Sequence, residues 1–207
     1  MIVDPNALEQ QASYKLLIGS ILPRPIAWVS SMDAAGVLNL APFSFFTIGA
    51  TIPMTLIFCP QVGGRGKKDT LRNVEEVPEF VVNLTNEDTV TQMNLSATEL
   101  PRGVSEFEWA GVTAVASETI RVPRVAEAPV AFECKLQRIV TISDGPGGGS
   151  AVFGEVQRIY FRDDLITDGR IRLDVLRPIG RLAGAGYARV TDTFDLQRVP
   201  PPVAKAE

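Results

Sequence analysis

The clearest period in the chain is two. Across 129–137, Val130, Phe132, Cys134 and Leu136 fall on one side, and Ala131, Glu133, Lys135 and Gln137 on the other. That alternation predicts a strand. AVFGEVQRIYF (151–161) returns as a second strand, and GPGGGS (145–150) reads as the turn of a long hairpin. IAWVSSM (26–32), MTLIFC (54–59) and EFVVNL (79–84) are further strands. MTLIFC is apolar on both faces, as in a strand with neighbours all round. VLNLAPFSFFTIGA (37–50) is β-rich, but Pro42 lies inside it. Proline cannot donate to a ladder, so this run must be bulged, bent or at an edge.

Helical spacing is rarer. LEQQASYKLLIGSIL (8–22) has Leu8, Ala12 and Leu16 in phase, and the PRP at 23–25 stops it. DTLRNVEEV (69–77) places Leu71 and Val74 together. NEDTVTQMNLSATEL (86–100) places Val90, Met93, Ala97 and Leu100 together, with Asn86 or Asp88 as the cap. DAAG (33–36) is a turn, PQVGGRGKK (60–68) a loop, and PRGVSEFEWAG (101–111) reads as irregular. Long strands dominate and no βαβ rhythm repeats. The expectation is a mainly β fold, an antiparallel barrel with a few covering helices.

Length and charge narrow this picture. The 207 residues suit one domain, with PPPVAKAE (200–207) as a loose tail. A net charge of −4 gives no general attraction to nucleic acid or anionic membranes. No apolar run approaches the roughly 20 residues of a membrane span, and the N-terminus lacks the pattern of a signal peptide. A cytoplasmic protein is the default. Cys59 and Cys134 are far apart and read as small buried hydrophobes. The chain has no histidine. That removes histidine-based triads and the commonest general base, and shifts the chemistry to other side chains or to a bound cofactor.

One segment carries candidate binding chemistry. GRGKKDT (64–70) fails as a Walker A loop, because Gln61 stands where that motif needs glycine. GPGGGS and GAGYAR (184–189) fail as dinucleotide loops on spacing and context. A loop that opens a helix can still bind phosphate through free N–H groups and lysine charge. Arg65, Lys67 and Lys68 precede such a turn, and Thr70 adds a hydroxyl. The plainer alternative is a solvated loop with Asp69 as the N-cap, its carboxylate repelling phosphate.

Taken together, YKLLIGSILPRPIAWVSS (14–31), NLAPFSFF (39–46), KKDTLRNVEE (67–76), EFVVNL, PRGVSEFEWAGVT (101–113) and VAEAPVAFECKL (125–136) resemble the flavin reductase-like proteins. The likeness runs in order from about residue 13 to about residue 190, nearly all of one domain. It implies an FMN-binding split β-barrel, a homodimer, and flavin near the interface. It implies that the backbone around Asn39, Leu40 and Ala41 faces the flavin ring, with Pro42 at the same site leaving nearby backbone groups free for the ligand. Ser44, Phe45 and Phe46 would line the ring or its chain. Arg65, Lys67, Lys68 and Thr70 would hold the phosphate. Phe45 and Phe46 read equally well as core, whereas Ser44, a hydroxyl in an apolar run, needs a partner. Trp28 reads as core. Arg24, Arg181 and Tyr187 stay open between site and scaffold. Glu106, Glu108 and Trp109 read as a surface loop or dimer contact.

The activity implied is an FMN-dependent oxidoreductase, with NADH or NADPH as donor and free flavin or a partner oxygenase as acceptor. An FMN-binding electron carrier and a flavin-binding sensor or storage module are the alternatives.

Overall fold

The computed structural model describes residues 1–199; the PPPVAKAE tail lies outside them. After a 3-10 turn at Pro5–Ala7 come helix α1 (Gln10–Ser20) and strands β1 (Ala27–Met32), β2 (Leu38–Phe43), β3 (Phe46–Thr51) and β4 (Met54–Phe58). Helix α2 (Asp69–Glu76), strand β5 (Glu79–Leu84) and helices α3 (Val90–Leu95) and α4 (Glu106–Ala110) follow. Two short strands, β6 (Ala114–Val115) and β7 (Arg124–Val125), lead into the long pair β8 (Val130–Ser143) and β9 (Gly149–Phe161). The C-terminal part adds β10 (Ile166–Thr167), β11 (Arg170–Ile171), α5 (Leu173–Leu176), β12 (Ile179–Arg181) and β13 (Tyr187–Arg189).

Seven strands form one sheet in the order β2-β1-β5-β8-β9-β4-β3, with every neighbouring pair antiparallel. Its two edges, β2 and β3, are joined only by Ser44 and Phe45. Each residue of extended chain reaches about 3.5 Å. So short a link forces the sheet to curl until its edges meet. They meet without pairing, which makes the fold a split barrel. Pro42 sits on edge strand β2 opposite Trp28, where its missing N–H leaves no ladder bond unmade. The chain turns after Phe43, not at the proline.

β1 is buried on both faces and separates two cores. Ala27 and Val29 face the barrel interior with Phe58, Phe80, Val82, Cys134 and Val152, and α2 closes that end with Leu71 and Val74. Ile26 and Trp28 face outward with Leu40, Met93 and Phe107, under α3 and α4. Trp28 is fully buried core, and its Nε1–H donates to Ser96 Oγ at 2.8 Å.

Three local expectations need correction. The helix expected over 86–100 shrinks to α3, because the Asn86 side chain accepts from Asp88 and Thr89 N–H and makes a turn instead. PRGVSEFEWAG is not irregular throughout. Ser105 caps Phe107 N–H at 3.3 Å and Gly111, at φ 66°, ends α4. Lys68, not Asp69, is the N-cap of α2, and Asp69 begins the helix.

The β8 alternation holds from Cys134 on, but at its start the second face is buried too, at Ala131 and at Glu133, which is 3% exposed. Its carboxylate accepts from Glu118 N–H and Thr119 N–H, each at 2.8 Å, and from Thr119 Oγ–H at 2.6 Å. Burial pulls this group upward, but the donors outweigh it and hold it below the usual glutamate range. A folded value below the unfolded one contributes stability above the ordinary range, and this is lost as pH falls. Glu133→Gln offers one acceptor oxygen and points N–H groups at a donor. It is expected to lose about 1–3 kcal/mol near neutrality. In urea titrations the gap to wild type should narrow below about pH 4. A gap independent of pH would assign the loss to packing.

Candidate functional site

A cavity of about 360 Å³ opens where β2, the start of α2, the 96–102 segment and α4 converge. That volume suits a small-molecule site. β2 supplies Asn39, Ala41, Pro42 and Phe43 to its wall. The loop before α2 supplies Arg65, Gly66, Lys67 and Lys68, and the helix supplies Asp69, Thr70 and Arg72. Ser96 to Leu100, Arg102 and Glu106 complete it.

The first turn of α2 is the chemical centre. Its N-cap, Lys68, has no capping side-chain oxygen. The orphan N–H groups at the helix start therefore carry their partial positive charge uncapped by any side chain. Thr70 is buried, and its Oγ1 accepts from Asn39 Nδ2–H at 2.9 Å. That bond ties β2 to α2 and leaves the threonine proton free to donate. Five cationic side chains line the cavity, Arg65, Lys67, Lys68, Arg72 and Arg102, against three carboxylates, Asp69, Glu99 and Glu106. In a chain of net charge −4 this is a local reversal of sign.

Each cation is held. Lys68 Nζ donates to Glu99, whose carboxylate also lies 3.8 Å from Arg65. The lysine holds Glu99 below the usual carboxylate range. Lys67 pairs with Glu75 at 2.8 Å and Arg102 with Glu76 at 3.5 Å. These are exposed pairs of small energy, which an anionic ligand can displace.

Of the residues expected at a ligand, the cavity brings together Asn39, Ala41, Pro42, Arg65, Lys67, Lys68 and Thr70. Leu40 points its side chain into the outer core, and its N–H donates to Glu106 Oε2 at 2.9 Å. The Ser44 hydroxyl finds its partner in Arg24, whose Nε–H donates to it at 3.3 Å. Phe45 lies in the β2–β3 link, its carbonyl accepting from Cys59 N–H at 2.8 Å. Phe46 packs on the barrel core. Arg24 is scaffold: it donates to the carbonyls of Ile18, Ile21 and Leu182. Arg181 stacks on Tyr187, whose hydroxyl donates to Asn94.

Glu106 is the residue that the sequence conceals. It is neither a surface loop residue nor bare, but 8% exposed in the cavity wall. Burial pushes its carboxyl upward, against the pull of Leu40 N–H. The capping signals at Ser105 and Gly111 could have placed it on a helix, though not in the site.

Comparison with known proteins gives the context. Residues 18–173 match the flavin reductase like domain. An uncharacterised protein of Halalkalibacterium halodurans is 42% identical over 202 residues, 96% of each chain. Nitrilotriacetate monooxygenase component B from Bacillus cereus superposes with a TM-score of 0.91 at 40% identity, covering 95% of this chain and 98% of the other. The Pseudomonas fluorescens 2-nitrobenzoate 2-nitroreductase gives 0.87 at 37% identity, with all of both chains covered. With a family match across most of its length and full-length relatives at this identity, the chain belongs to the flavin reductase-like family.

Proposed function

We propose that this member of a family of flavin-related oxidoreductases binds FMN in the α2 cavity and takes reducing equivalents from NADH or NADPH. The observation that carries the reading is the uncapped start of α2, facing a cavity ringed by Arg65 and Lys68. A phosphate monoester dianion suits that turn and that charge. Lys68 and Arg65 would exchange Glu99 for the phosphate, and Thr70 would add its free proton. Ala41 and Pro42 on the edge strand would meet the flavin itself. Bound FMN supplies a ring that accepts hydride and passes electrons on. The chain's task is then to bind, orient and shield it, which needs no histidine. Kinship with an oxygenase component and a nitroreductase favours an acceptor outside this chain, free flavin or a partner oxygenase. A cytoplasmic setting, where reduced nicotinamides occur, suits the reaction.

A second copy of the chain is part of this reading. Helix α1 leaves Leu16 and Leu17 exposed, Ile21 and Leu22 just after it are exposed, and Ile48 and Ile52 on the β3–β4 hairpin are exposed too. Monomers seldom leave so much apolar surface bare. The protein is expected to sediment as a homodimer, to turn yellow with FMN, and to bleach on anaerobic mixing with NADH or NADPH. Bleaching with neither donor would leave an FMN-binding electron carrier. The absence of a flavin spectrum would end the flavin reading.

A further inference from the structure

A carboxyl group is out of place beside a phosphate. Glu106 is nevertheless built into the cavity wall, within Coulombic reach of Asp69. Its anchor, Leu40 N–H, lies one residue along β2 from the Asn39–Thr70 bond. That backbone bond uses Oε2 and fixes the side chain. Apart from Leu40 N–H, only the residue's own backbone N–H bears on the carboxyl among the described residues, and two carboxyl oxygens keep acceptor capacity for a ligand beyond those two donors.

A carboxyl in this place repels the phosphate itself and calls for a neighbouring group that carries hydroxyls. In a flavin whose phosphate sits on α2, the atoms next to the phosphate are those of the polyol chain. The ring lies further off, by the length of that chain. A hydroxyl also suits a buried carboxyl of either charge, because it can donate to the carboxylate or accept from the acid. A ring carbonyl suits only the acid, and a ring N–H suits the carboxylate better than the acid.

We propose that Glu106 receives the hydroxyls of the chain between ring and phosphate, and so selects a polyol-bearing flavin over one with a plain alkyl chain. The inference rests on FMN occupying the α2 cavity. Glu106 is a specificity residue in this role, positioned by Leu40 and not engaged in electron transfer.

The test compares FMN with an analogue whose chain hydroxyls are replaced by hydrogen. Both keep the ring and the phosphate, and both are titrated by flavin fluorescence into wild type, Glu106→Ala and Glu106→Gln. Wild type is expected to prefer FMN by about 10-fold. In Glu106→Ala the FMN affinity should fall to that of the analogue, and the analogue's own affinity should not fall with it, because the lost carboxyl only repelled its phosphate. Glu106→Gln is the control for folding. Its amide oxygen can still serve Leu40 N–H, so its thermal midpoint should stay near wild type, while its neutral NH2, a weaker partner for the hydroxyls than a charge-assisted carboxylate, should narrow the preference for FMN without abolishing it.

Equal weakening of both flavins in both variants would overturn the inference, because Glu106 would then act only through Leu40. A preference that stays at the wild-type ratio would overturn it too. If Glu106→Ala does not fold, Glu106→Gln decides between these outcomes. Failure of the wild-type protein to bind either flavin would refute FMN occupancy itself, and that result is read before any variant is compared.

Discussion

Lys68→Ala is expected to weaken FMN binding by about 10- to 100-fold and to leave riboflavin within about 2-fold. The two ligands share ring and polyol chain and differ only in the phosphate. Lys68 stands at the N-cap of α2, where it adds a full charge to the partial charge of an uncapped helix start. Its loss removes a charge-assisted bond, and it also strips Glu99 of its main partner. An unneutralised carboxylate then faces the incoming phosphate. For that reason the double variant Lys68→Ala/Glu99→Gln should recover part of the loss. The wild-type preference for FMN should also decline with added salt, since the charges at this rim are exposed and screened. Equal losses for FMN and riboflavin in Lys68→Ala would place the phosphate elsewhere. Recovery of FMN binding in the double variant, matched by recovery of riboflavin, would make Glu99 a structural residue.

What the sequence makes legible follows from how far apart the interacting residues lie. The β8–β9 hairpin is read directly, because alternation and turn are local properties of 129–161. Lys68 and Thr70 are also local: cations and a hydroxyl before a helix describe an anion site without any tertiary knowledge. The limits of α3 are hidden from periodicity even at short range, because the Asn86 side chain competes with the backbone for Thr89 N–H. The helix cap of α2 went to Lys68 because Asp69 already has helical geometry. Glu106 was not legible, since its partner Leu40 is 66 residues away. Only the packing of α4 over edge strand β2 turns a charged residue in a polar stretch into a buried wall. The strand order was hidden for the same reason. Nothing local to Ser44 and Phe45 says that the strands on either side of them take opposite edges of one sheet. The run of long strands without a βαβ rhythm points to an antiparallel barrel, the resemblance to a family makes it a split barrel, and the structure supplies the side-chain assignments within it.

Phe80→Ala is expected to cost about 3–5 kcal/mol, a large share of the roughly 5–15 kcal/mol that holds a typical domain. Phe80 is fully buried on β5, packed edge-on against Phe58 with ring centroids 5.3 Å apart. It fills the barrel where β9 passes closest, at Gly154, which lies between Leu56 and Leu136 in register. A Cβ built on Gly154 would stand 2.2 Å from Phe80 Cζ and 3.0 Å from its Cε2. Gly154→Ala in the wild-type barrel should therefore be destabilising by about 1–3 kcal/mol, the usual range for overpacking. In the Phe80→Ala background the clashing ring is gone and Cys134 Cβ, at 3.1 Å, is the one tight neighbour left among the three nearest atoms, which the new cavity gives room to relieve. There the same change adds a methyl to a cavity and removes the entropic penalty of glycine in a strand, about 0.5–1 kcal/mol relative to alanine. The second substitution should then be neutral or stabilising, a coupling of at least about 1 kcal/mol between two residues in contact. Urea unfolding of the four proteins measures it. Strict additivity would mean that β9 can shift away from Phe80 freely. A sign reversal of the Gly154→Ala effect between the two backgrounds would show that the glycine is required by the Phe80 ring, and that this contact sets how closely the two strands approach.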